Sequence, residues 1–147
     1  MADGIFNIAK GAFVEKIRDA NGKLLVVLLQ AANADATLAD FNDLAALLAD
    51  AGNTEATFTN YLPRKTGLTG TINVDDTNDR VDVSILDQTW TAAGGATNNT
   101  LVKLLVCYEE SASDAGRIPL SYHDFAVTTD GSDIVAQFNA SGFGRAA

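Results

Sequence analysis

Hydrophobic and polar positions alternate most cleanly between Arg80 and Trp90. Val81, Val83 and Ile85 fall on one side of an extended chain, Asp82 and Ser84 on the other. That period of two marks a strand with one buried and one wet face. The acidic run Asp75-Asp76-Thr77-Asn78-Asp79 precedes it, and Trp90, a candidate core anchor, follows. Asp and Asn favour turns, so the run reads as a hairpin connection to a Thr-rich strand at Leu68–Val74. Lys65-Thr66-Gly67 reads as the turn before that strand.

Leu24–Leu29 is a continuous apolar run, short enough for a strand buried on both faces and the best candidate for a central strand. Thr100–Tyr108 reads the same way. Ile118–Thr128 and Ile134–Asn139 are further strands, joined into a hairpin by Thr129-Asp130-Gly131-Ser132-Asp133. Ala56–Tyr61 is β-prone but is followed by Pro63. One helix is expected, over about 37–49, with Thr37 as N-cap, a stripe of Phe41, Leu44, Ala45 and Leu48, and Gly52 as a left-handed stop. Residues 5–18 fit either an amphipathic helix (Phe6, Ala9, Phe13, Ile17) or a strand from Ala12 to Ile17 turning at Asn21-Gly22. The expected fold is mainly β, a β-sandwich or jelly-roll-like domain of about six to seven strands with one short inserted helix. Its parts are an N-terminal arm (1–23), whose first ten residues reach beyond the domain, a single core domain (24–139) and a small-residue tail (140–147).

With 147 residues, 47% hydrophobic and 20% charged, the composition is globular. At this length roughly 68–70% of the unfolded chain's surface can be buried. Nineteen acidic residues against ten basic ones give a net charge of −9, which opposes binding to phosphate backbones and to anionic membranes. No apolar run approaches the ~20 residues of a membrane span, and no secretory signal pattern is visible. The lone Cys107 excludes an internal disulfide and a cysteine-pair zinc site.

Candidate chemistry is sparse. Asp75–Asp79 with Asp82 offers oxygen ligands for Ca²⁺, but lacks the mid-loop glycine and distal glutamate of an EF-hand, and the plain turn is preferred. His123 needs a nucleophile and an orienting carboxylate within reach to act as a catalytic base. Its neighbour Asp124 points to the opposite face of a strand, so a structural histidine is preferred. Cys107 sits in an apolar strand without a neighbouring cation and reads as core. Catalytic, cofactor and metal residues are therefore all expected to be absent. The loop Gly94–Asn99 reads as an exposed interaction tip.

Several stretches together resemble a family of small structural proteins of tailed bacteriophages, chiefly those infecting actinobacteria. They are Asn7-Ile8-Ala9-Lys10-Gly11, Asp35–Leu48, Asp75–Asp82, Asp87-Gln88-Thr89-Trp90, Lys103–Tyr108, His123-Asp124-Phe125 and Thr129–Asp133. The resemblance implies a virion component. Within the particle, the best fit is a capsid decoration (cement) protein on the exterior of the major capsid protein shell, made in the bacterial cytoplasm and favouring a homotrimer. The alternative is a head-fibre or tail module touching host glycans through Gly94–Asn99. On the cement reading Phe6, Ile8, Lys10, Phe13, Phe143 and Arg145, in the arm and tail, make the contacts.

Overall fold

The computed structural model describes residues 3–10, 15, 17, 21–138 and 142–146. In chain order the elements are β1 (Gly4–Ile5), α1 (Asn7–Lys10), β2 (Leu24–Ala31), α2 (Asp35–Leu38), α3 (Leu44–Ala49), β3 (Thr54–Glu55), β4 (Lys65–Leu68), β5 (Thr71–Asp75), β6 (Arg80–Ser84), β7 (Gln88–Trp90), β8 (Thr100–Glu109), a 3-10 turn at Asp114–Gly116, β9 (Arg117–Thr128), β10 (Ile134–Ala136) and β11 (Gly144–Ala146). The fold is mainly β and sandwich-like, with more strands than the sequence pattern predicts, the additional ones short.

The main sheet runs β1-β9-β8-β2, and β3 and β4 share the far edge of β2. All its pairings are antiparallel. The apolar run of β2 is central, as expected, and Leu24 to Leu29 are each 0% exposed. One face of the sheet is covered by the helical side: α1 and α3 contact β9, and Phe6 meets Tyr122 edge to face at 5.4 Å. The other face is covered by two small sheets, β11-β6-β5 and β10-β7. These bring Val83, Ile85, Trp90, Ile134 and Phe143 into the same core.

Several expectations need correction. The helix over 37–49 is two helices, because Asp43 leaves helical geometry and caps α3, its carboxylate accepting from Ala46 N. Thr37 lies inside α2 and caps nothing. Gly52 does not adopt a left-handed conformation; the Asn33 side chain occupies the space where its Cβ would stand. Lys65-Thr66-Gly67 is strand, not turn. The predicted strand Leu68–Val74 divides at Thr69-Gly70 into pieces of two different sheets, where Gly70 gives room to Ile17 and Leu24. Ala56–Tyr61 turns back on itself, Tyr61 N donating to Phe58 O, and buries Phe58 and Tyr61. The strand Ile134–Ala136 pairs with β7 rather than closing a hairpin on β9.

The termini also depart from an arm and a tail. β1 pairs with β9, and Phe6, Ala9 and Ile17 are buried, so residues 3–10 fold onto the sheet. Glu15 and Ile17 are helical, against the strand alternative; residues 12–14 and 16 of that alternative lie outside the described residues. At the other end β11 pairs with β6, making the tail part of the second layer.

A charged cluster ties the chain's far segments together. Arg64 donates to Glu55 and Asp114, and Arg117 donates to Glu109 and Asp114. Hydrogen bonds from Arg64, followed by those from Arg117, hold the Asp114 carboxyl below its ordinary value.

Two outcomes follow. Phe6→Ala should cost about 3–5 kcal/mol of stability, read as a lower urea midpoint; an unchanged midpoint would mean that the N-terminal segment is a loose arm. Because Asp114 titrates lower when folded, its contribution is complete above the ordinary carboxylate range and fades as pH falls below about 5. Asp114→Asn should therefore reduce the acid sensitivity of unfolding while lowering stability at neutral pH.

Candidate functional site

The pairing of Gly4 with Tyr122 places Asp3 across from His123. Its Oδ1 lies 3.5 Å from His123 Nδ1. On the same strand and two residues back, Ser121 Oγ lies 3.0 Å from His123 Nε2. The structure thus assembles carboxylate, imidazole and hydroxyl in the order of a hydrolase triad, from an Asp and a Ser that sequence reasoning passed over. The register carried the only signal, because i and i+2 of a strand share a face.

The chemistry does not follow from the order. Ser121 is 0% exposed, so its hydroxyl cannot approach a carbonyl carbon. Burial pushes the imidazole below its ordinary pKa of 6.5, against the opposing pull of Asp3. A neutral ring with Nδ1–H toward Asp3 and Nε2 accepting from Ser121 fastens β1 to β9. Asp124 indeed faces the other side, with Lys103, which also pairs with Asp35 at 2.7 Å. Lys103 is only 8% exposed in an otherwise apolar strand. A lone lysine amid Leu101–Tyr108 was a legible sign of a buried charge needing partners. Cys107 is buried, and burial raises its thiol to about 12; it is no nucleophile at neutral pH.

The acidic loop is occupied by its own neighbours. Asp75 accepts from Asn78 N at 3.2 Å and Nδ2 at 2.8 Å and pairs with Arg80 at 3.1 Å. Asp82, predicted to face solvent, is 3% exposed, because β11 covers β6 and brings Arg145 to 2.9 Å. Arg80 approaches its other oxygen at 3.1 Å. Among the described residues no group of three His, Cys, Asp or Glu side chains is placed to hold a metal.

The predicted contact residues separate. Phe6 is core, and so is Phe143, which is 4% exposed and packs edge-on against Phe138 at 6.3 Å. Neither is available to a partner without opening the fold. Ile8 is 44% exposed and remains a surface candidate. Arg145 is engaged by Asp82. Lys10 lies in α1 with its side chain outside the described set, and Phe13 lies wholly outside it. The Gly94–Asn99 loop is exposed at residues 95–98, as expected, but it is anchored: Gly94 N donates to Thr59 O, Thr97 N to Thr59 Oγ1 and Gly95 N to Asn98 Oδ1, and Asn99 is buried.

One cavity of about 380 Å³ opens beside His123, between β9, β10 and the C-terminal segment. Asp3, His123 and Gln137 stand among its walls with Leu104, Phe125, Val135, Phe138 and Phe143. Ser121 is not part of this lining.

Titration of the single histidine tests this geometry. By NMR its imidazole should titrate below 6.5. Since the folded ring resists protonation, stability should decline as pH falls below about 6.5, and His123→Gln should remove that step. A midpoint above 6.5 would mean that Asp3 outweighs burial.

Comparison of the chain with models of known protein families, with curated proteins and with solved structures gives no match.

Proposed function

We propose that this chain is a non-catalytic structural protein of a bacteriophage virion, a capsid decoration (cement) protein that binds the outer surface of the major capsid protein shell as a trimer and stabilises it. The observation that carries the reading is the distribution of charge. Arg64, Arg80, Lys103, Arg117 and Arg145 are each held by an Asp or Glu of the same chain. The net charge of −9 is therefore left to an excess of surface carboxylates, suited to the solvent side of a shell and unsuited to packaged DNA. A non-catalytic role is further supported by the inaccessible Ser121 and the raised thiol of Cys107.

The glycan-binding alternative rested on a free Gly94–Asn99 tip and loses support from its anchoring. Contacts in the cement reading fall to Ile8 and the surface around it, since Phe6 and Phe143 are committed to the core.

Purified particles should contain the chain in copy number comparable to the major capsid protein. Particles stripped of it should lose their contents at a lower temperature, regained on adding the protein back. A handful of copies per particle, or no change in heat resistance, would sink the reading.

A further inference from the structure

The cavity beside His123 opens where the edge of the core meets an exposed carboxylate. Its depth is hydrophobic and aromatic, from Leu104, Phe125, Phe138 and Phe143, and Asp3 stands at its wall. Asp3 is half exposed, with 50% of its side chain open to solvent, so its carboxylate is presented to whatever enters. The imidazole beside it adds no positive charge at neutral pH, because burial disfavours the protonated ring. Val135, 45% exposed, forms part of the rim. At about 380 Å³ the space falls within the range of sites that bury a ligand.

The half-buried rings of Phe125 and Phe138 and the exposed Asp3 carboxylate select for a cation with an apolar stem, the lining's other aspartate, Asp124, being paired with Lys103. The faces of Phe rings attract guanidinium and ammonium groups, and the stems of Arg and Lys cover apolar surface while their heads stay polar. Charge complementarity points the same way. The chain carries −9 overall, and five of its own cations are already paired internally, so an approaching basic surface meets an uncompensated acidic one.

We propose that this cavity is a docking pocket for an arginine or lysine side chain projecting from a basic protein partner, with Asp3 pairing the cationic head and the half-buried Phe125 and Phe138 enclosing the stem. The proposal concerns the chemistry of the partner and does not depend on that partner being a capsid shell.

The test uses the full chain and capped tripeptides Ala-Arg-Ala, Ala-Lys-Ala, Ala-Leu-Ala and Ala-Glu-Ala, followed by NMR at low salt. The arginine and lysine peptides should shift the His123 and Phe125 signals in a saturable way. The leucine and glutamate peptides should do so weakly or not at all. Asp3→Asn should weaken the arginine peptide about threefold, the size of a partly exposed ion pair, and 0.5 M NaCl should act in the same direction. Val135→Lys, at an exposed rim position, should abolish binding while leaving the unfolding midpoint in place. Equal binding of the leucine peptide would make this an apolar pocket and overturn the proposal. So would an absence of saturable shifts with either basic peptide, or binding indifferent to both substitutions.

Discussion

Leu24–Leu29 imposes the constraint on which the rest depends. Six consecutive apolar side chains in an extended conformation point alternately to both faces of a sheet, and each is withdrawn completely from water. A single covering layer would leave half of them wet. At roughly 25 cal/mol per Å² of apolar surface, burial on both sides is a large share of what stabilises so small a domain. The helical segments satisfy one face and the two small sheets the other. The second layer is built from strands of only three to five residues, too short to be stable alone. They persist because their apolar side chains join the same core as those of the main sheet.

This arrangement explains what was legible in the sequence. The strands β2, β6, β8 and β9 announce themselves because their side chains face a core and their pattern obeys the sheet's period. The pairing of β10 with β7 does not, because three residues carry no register information and the adjacent turn suggests a different partner. The break between α2 and α3 was hidden by a stripe that continues across it. Asp43 decides it, by accepting a bond from Ala46 that an uninterrupted helix would not need. Arg64 gave no local signal at all: its partners Glu55 and Asp114 are nine and fifty positions away.

At the candidate site the sequence identified the titratable group and not its setting. His123 was visible as the single imidazole, but Asp3 and Ser121 became its partners only through strand pairing. The result shows why the order of a triad is a weaker criterion than access to it. A hydroxyl sealed beside its base on the same strand only steadies the imidazole, and it is the contact of His123 with Asp3 that reaches across to the N-terminal segment. The cavity on the same face is accessible, and its walls combine residues from both ends of the chain with the middle of β9.

The pairing of β2 with β8, which joins Leu24 to Tyr108, has a consequence for how the chain reaches this state. The two most apolar strands have β3 to β7 between them in the sequence, and closing such a distance is slow compared with local contacts. Until it closes, both segments are open to pairing with other nascent chains. Lys103 sits inside one of them, and an unneutralised charge within an apolar strand discourages such pairing. The ammonium that is paired with Asp35 and Asp124 in the folded state is, in the unfolded chain, a charge that interrupts an otherwise apolar segment.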